Sequence, residues 1–96
     1  MIITGILELE LHLPAAQSLK QKRSVIKSLK DKLQARFNIS VAEVAHLDKW
    51  QLAAIAIAHV SNDESYLESK FEKIYAFIDR EISGKAYITK SNLEFI

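Results

Sequence analysis

Seven basic side chains crowd one stretch of this chain. Lys20, Lys22, Arg23, Lys27, Lys30, Lys32 and Arg36 lie between Ser18 and Phe37 with Asp31 as the only acid, a local charge of +6. The chemistry open to such a run is electrostatic, because ammonium and guanidinium groups at regular spacing can follow a phosphate backbone and displace its counterions. At about 100° per residue, Lys20, Arg23, Lys27 and Lys30 fall along one flank of a helix, at i, i+3, i+7 and i+10. Plain solvation of an amphipathic helix accounts for a charged flank equally well. The first turn separates the two readings. Lys20, Lys22 and Arg23 stand where the helix dipole is positive and where stability alone selects Asp or Glu, at a penalty of about 0.3–1 kcal/mol per misplaced charge. Cations beside the free amides of a helix N-terminus are what an anion site requires. Ser18, Lys20, Lys22, Arg23, Lys27 and Lys30 are therefore the candidate nucleic-acid or anion-binding residues.

Other site chemistry is thin. His12, His46 and His59 show no metal-ligand spacing, and there is no cysteine, so no thiolate nucleophile or disulfide is available. Glu8, Glu10 and His12 share the polar side of an extended segment, spaced about 7 Å apart as ordinary exposed positions are. Glu43, His46 and Asp48 read as polar groups solvating a hairpin end. No catalytic residue, cofactor or metal is expected.

The elements that must carry these residues follow from periodicity. Ile3, Gly5, Leu7, Leu9, Leu11 and Leu13 alternate with Thr4, Glu8, Glu10 and His12, which predicts a half-buried strand ended by Pro14. Ser18 as N-cap, with Gln21 as reciprocal partner, opens a helix whose apolar positions are Leu19, Ile26, Leu29, Leu33 and Phe37. Asn38 suits the left-handed residue that often follows a helix. Ile39 to Ala45 and Gln51 to Val60 read as strands of a hairpin across His46 to Lys49. Ser61 with Glu64 predicts a second capping box, leading a helix over Asp63 to Ile82 with a stripe of Leu67, Phe71, Ile74, Tyr75, Ile78 and Ile82; Gly84 stops it. Lys85 to Phe95 is the last strand, with Tyr87, Leu93 and Phe95 on one side.

The order βαββαβ predicts one ferredoxin-like α+β domain over residues 1–96, an antiparallel four-stranded sheet with both helices on one face. Acylphosphatases share that fold class, but their glycine-rich phosphate loop has no counterpart between His12 and Gln17. The third strand is apolar on both sides, with Ala53, Ile55 and Ile57 against Trp50, Leu52, Ala54, Ala56, Ala58 and Val60. A sheet with one solvated face alternates apolar and polar. Part of the open face is accordingly expected to be covered, with Trp50, Leu52 and Ala54 as the candidate homodimer interface, since interfaces enrich Trp.

Ninety-six residues, 49% hydrophobic, leave room for one core. The formal charge of +1 is the sum of +6 on one helix and −5 elsewhere, so near-neutrality does not exclude an anionic partner. The N-terminal segment, interrupted by Glu8 and Glu10, is neither a signal peptide nor a membrane span, and a cytoplasmic location is the expectation.

Ser18-Leu19-Lys20-Gln21-Lys22-Arg23, then Phe37-Asn38-Ile39-Ser40-Val41-Ala42-Glu43, Trp50-Gln51, Val60-Ser61 and Phe77-Ile78-Asp79, together resemble the YlxP-like family of small bacterial proteins of unknown function. The resemblance spans nearly the whole chain; Ser18, Leu19, Lys20, Lys22 and Arg23 match the family's S-L-K-x-K-R motif position by position. It implies a ferredoxin-like fold. Because genes of that family often lie beside those for transcription elongation, translation initiation and ribosome maturation factors, it also implies an RNA- or ribosome-associated role. The combined expectation is a non-enzymatic RNA-binding or ribosome-associated accessory protein working through its basic first helix. The alternative is a homodimeric interaction module, able to hold a small anion, without a nucleic-acid role.

Overall fold

A computed structural model describes residues 1–96. The strand β1 (Ile3–His12) is followed by the helix α1 (Leu19–Arg36), the hairpin β2 (Ser40–Ala45) and β3 (Leu52–Ser61), the helix α2 (Glu64–Glu81) and the strand β4 (Tyr87–Phe95). The sheet order is β2-β3-β1-β4, antiparallel throughout. Ten residue pairs, from Ile3 opposite Ser61 to His12 opposite Leu52, join the two central strands. This is the ferredoxin-like α+β fold.

Alternation in β1 and β3 sends Leu7, Leu9, Leu11, Ala53, Ile55 and Ile57 toward the helices, where Ile26, Leu29, Leu33, Leu67, Phe71, Ile74 and Ile78 close the core. Gly5 on this face is a packing requirement. A Cβ there would collide with the Phe71 ring, whose Cζ lies 3.1 Å from that position.

Each edge strand carries a bulge. Val44 is an extra residue between the pairs Glu43–Ile55 and Ala45–Ala54, and Thr89 an extra one between Lys90–Glu10 and Ile88–Leu11. Bulges disrupt the unpaired edge as a template for another strand. The Thr89 bulge also corrects an expectation: Leu93 and Phe95 pair with the core-facing Leu7 and Gly5, whereas Tyr87 pairs with His12 on the open face and is 65% exposed. A one-residue insertion reverses every side chain beyond it.

The helix ends differ in detail from the sequence expectation. Ser18 Oγ accepts from Gln21 N at 3.0 Å, and Gln21 Oε1 accepts from Gln17 N at 2.6 Å, one residue earlier than a capping box. The N-cap of α2 is Asp63, which accepts from Tyr66 N at 3.2 Å; Ser61 supports it by accepting from Asp63 N. After α1 the chain leaves through Phe37 in an extended conformation, so Asn38 is not left-handed. Gly84 is, at φ 82°, as the end of α2 requires. Phe77 joins the core in place of Tyr75, which is exposed beside Leu93 in a groove between α2 and β4. No helix is long and apolar enough to cross a membrane.

Candidate nucleic-acid interface

Two side chains tie the N-terminus of α1 to the β2–β3 hairpin, one from each side. Gln51 Nε2 donates to Pro14 O at 3.0 Å and Ala16 O at 3.2 Å, tying the β1–α1 turn to the hairpin. Lys22 does more. Its side chain is wholly buried, and its Nζ donates to His46 O at 2.8 Å and Leu52 O at 3.2 Å and lies 2.9 Å from Glu43 Oε2. Two carbonyls accept from the ammonium and the Glu43 carboxylate supplies the counter-charge, so the charge is compensated inside the fold. The carbonyl of His46 is presented by a left-handed backbone, φ 61°. Lys22 thus closes the mouth of the β2–β3 hairpin.

Lys22 must therefore be removed from the candidate phosphate contacts. It sits at i−4 from Ile26 and i−7 from Leu29, on the buried stripe itself, and has no solvent-accessible surface. Glu43 is likewise not a solvated hairpin-end group but the counter-charge of that lysine. Ser18, with its Oγ engaged by Gln21 N, serves as a cap.

Lys20, Arg23 and Lys27 are exposed and Lys30 half-exposed, so the helical row keeps four members. Lys27 pairs with exposed Asp31 at 2.8 Å; the hydrogen bond to Asp31 first, and its charge second, raise the Lys27 pKa above 10.5. Lys20, Arg23 and Lys30 have no carboxylate partner. At 1.5 Å per residue the row from Lys20 to Lys30 is about 15 Å long, two to three phosphate spacings of a nucleic-acid strand.

The opposite side of the domain has a different character. On the open sheet face, Ala42, Ala54, Ala56 and Ala58 form an apolar strip along β2 and β3, while Glu8, Glu10, Lys90, Asn92 and Glu94 occupy β1 and β4. Between them lies a shallow concavity of about 580 Å³ floored by Ala45 and Ala54 and rimmed by Glu8, Glu10, His46 and Lys90. Glu10 meets His46 there, at 3.5 Å, rather than His12, and accepts from Thr89 Oγ1 at 3.2 Å. Leu52 and Ala54 face this side half-buried. Trp50, 53% exposed, precedes β3 and lies outside its paired residues. No group of three His, Asp or Glu side chains is arranged to hold a metal.

Comparison with known proteins places the chain. A family model described as "Protein of unknown function (DUF503)" matches residues 4–91. The uncharacterized protein YlxP of Bacillus subtilis (strain 168) is 37% identical over 75 residues, 78% of this chain and 82% of that protein. Two designed proteins share the backbone: Ferredog-Diesel, with a TM-score of 0.54 and 12% identity over 95% of this chain and 83% of that one, and Foldit4, with 0.51 and 13% over 100% and 97%. At such identities the likeness is one of fold alone, and a fold that design reaches from unrelated sequence carries no activity with it. The family match and the relative agree, and the chain belongs to the DUF503 family of proteins of unknown function.

Proposed function

We propose that this chain is a non-enzymatic RNA-binding accessory protein of the ribosome-associated kind, which grips the phosphate backbone with the outer face of α1. One observation carries the reading: Lys20, Arg23 and Lys30 stand solvent-accessible and free of carboxylate partners, Lys20 in a first helical turn that contains no acid and Arg23 directly after it. A stabilising surface would intersperse Asp or Glu there. Recognition through four cations spaced along α1 is phosphate-directed and weakly sequence-selective. Its affinity falls with salt along a log-log slope of about −3 for single-stranded RNA, four contacts at ~0.7 each. Filter binding to ribosomal RNA fragments between ~50 and ~300 mM salt tests it; binding that ignores salt, or that survives Lys20→Glu with Arg23→Glu, defeats the proposal.

A second reading, a self-associating module, is favoured by the alanine strip on the open face of β2 and β3. Such a dimer resists ~1 M salt and is split by Ala56→Glu, as light scattering would register; charge-paired assembly through α1 would dissociate in salt instead.

A further inference from the structure

Charge on α2 is segregated as it is on α1, although the helix as a whole is acidic. At about 100° per residue, its three cations, Lys70, Lys73 and Arg80, fall in the same ~80° arc as Tyr66 and Phe77, while Glu64, Glu68, Glu72 and Asp79 share the opposite flank and Glu81, beside the arc, is taken up by Lys32 of α1 at 3.2 Å. Contacts across the helix pair show which way the cationic arc faces. The Arg36 guanidinium of α1 lies 5.3 Å from the Phe77 ring centre and 5.8 Å from that of Phe37, Lys70 Nζ lies 5.4 Å from Phe37, and the Arg80 guanidinium is 5.6 Å from Phe77. Phe37 and Phe77 themselves pack edge to face at 5.6 Å. Three cations are thus gathered on one aromatic pair at the α1–α2 seam, and none of them has a carboxylate partner. Aromatic faces hold such charges in place and leave their N–H donors open to an anion.

At the end of this seam stands Tyr66, 48% exposed. Lys70 Nζ is 5.9 Å from its ring centre, and the His59 ring is 6.1 Å away, tilted by 40°. His59 is oriented by Asn38 O, which accepts from its Nδ1 at 2.8 Å, so the ring nitrogen left free is Nε2. Asp63, three residues before Tyr66, accepts from Tyr66 N through its Oδ1. A half-exposed aromatic bracketed by a lysine and an imidazole, next to unpaired cations, is the arrangement on which an unpaired nucleobase stacks while its phosphates find the neighbouring charges.

We infer that the α1–α2 seam ending at Tyr66 is a subsite for single-stranded RNA, with Arg36 and Lys70 on phosphates and Tyr66 under a base. The inference rests on the RNA-binding reading above and specifies it: the strand is single, and its path includes the helix seam as well as the outer row of α1. A base paired within a duplex cannot reach Tyr66.

Fluorescence anisotropy with a labelled single-stranded RNA of ~12 nucleotides, and with the duplex of the same sequence, tests this. Tyr66→Ala is expected to weaken single-strand binding by about 5- to 150-fold and to leave duplex binding within twofold, Tyr66→Trp to restore it, and Arg36→Ala with Lys70→Ala to flatten the salt slope by about 1.4, from about −4 for six contacts to about −3 for the α1 row alone. Thermal unfolding of each variant confirms a folded domain. Equal single-strand affinity for Tyr66→Ala and the unmodified protein overturns the subsite while leaving α1 binding intact, provided Lys20→Glu with Arg23→Glu still abolishes it. An equal loss on both RNAs also overturns it, and no binding of either RNA by the unmodified protein overturns both proposals together.

Discussion

The sharpest consequence of the structure concerns the one lysine that the sequence places among the RNA contacts and the fold withdraws. Replacing Lys22 by Met removes the donor to His46 O and Leu52 O and leaves the Glu43 carboxylate, 15% exposed, without its counter-charge. Breaking a buried pair from one side costs about 3–5 kcal/mol. A domain of this size has about 5–14 kcal/mol in total, at 0.05–0.15 kcal/mol per residue. With a urea m-value of about 1–1.5 kcal/mol/M, the unfolding midpoint should fall by at least ~2 M. Replacing both partners, as in Lys22→Met with Glu43→Leu, removes the stranded carboxylate but leaves two carbonyls short of a donor; it should recover at least ~1 kcal/mol over the single variant and still fall below the parent protein. Urea titrations followed by far-ultraviolet circular dichroism measure all three. The same folded Lys22→Met protein should show an unchanged salt slope in RNA binding, because a buried ammonium neutralises no phosphate. A midpoint shift under ~0.3 M, or a shallower salt slope with no loss of stability, would refute the structural assignment of Lys22 and return it to the binding surface.

Other substitutions probe separate parts of the domain. Gly5→Ala drives a methyl into the Phe71 ring and should destabilise by about 1–3 kcal/mol, with Phe71→Leu partly rescuing it in a double-mutant cycle. Asp63→Ala should cost about 1 kcal/mol as the true cap of α2, and Ser61→Ala clearly less, by thermal or urea unfolding. Asp31→Asn frees Lys27 and raises the charge of α1, so RNA affinity at low salt should rise by about twofold in filter binding. The same variant carries a pH signature: Asp31 raises the Lys27 pKa above 10.5, so the pair's contribution to stability is fully present below that value and fades as pH rises through the raised pKa. The stability difference between Asp31→Asn and the parent should therefore be flat near neutrality and vanish in strong alkali; a difference that grows with pH contradicts the pairing.

The frame of the fold is legible because its signals are local. Period-two alternation through Leu7, Leu9 and Leu11, the Ser18 cap and the left-handed Gly84 each depend on neighbours a few residues away, and all are realised. What escapes local reading depends on partners distant in sequence or on insertions without a signature. Lys22 is in phase with Ile26, Leu29 and Leu33, so its burial has a periodic signal, but the acceptors that make it tolerable come from β2, the hairpin loop and β3. Alternation alone places Tyr87 with Leu93 and Phe95, and one bulged residue, Thr89, reverses it. Phe77 is inside because it packs against Phe37 of the other helix, while Tyr75 lies on the side where β4 leaves a groove. The basic row on α1 is visible in sequence; the cationic seam is not, since it takes the packing of two helices to bring Arg36 to Lys70 and Arg80.

On the proposed reading the helix layer, and not the sheet, meets RNA. Amide chemical-shift mapping on isotope-labelled protein, titrated with a single-stranded RNA at ~50 mM salt and again at ~500 mM, addresses it directly. Shifts are expected at Lys20, Arg23, Lys27, Lys30, Arg36, Tyr66 and Lys70, with near silence at Glu8, Ala54, Ala56 and Lys90, and loss of the shifts at the higher salt. Shifts centred on the open sheet face, or none at the lower salt, would contradict it.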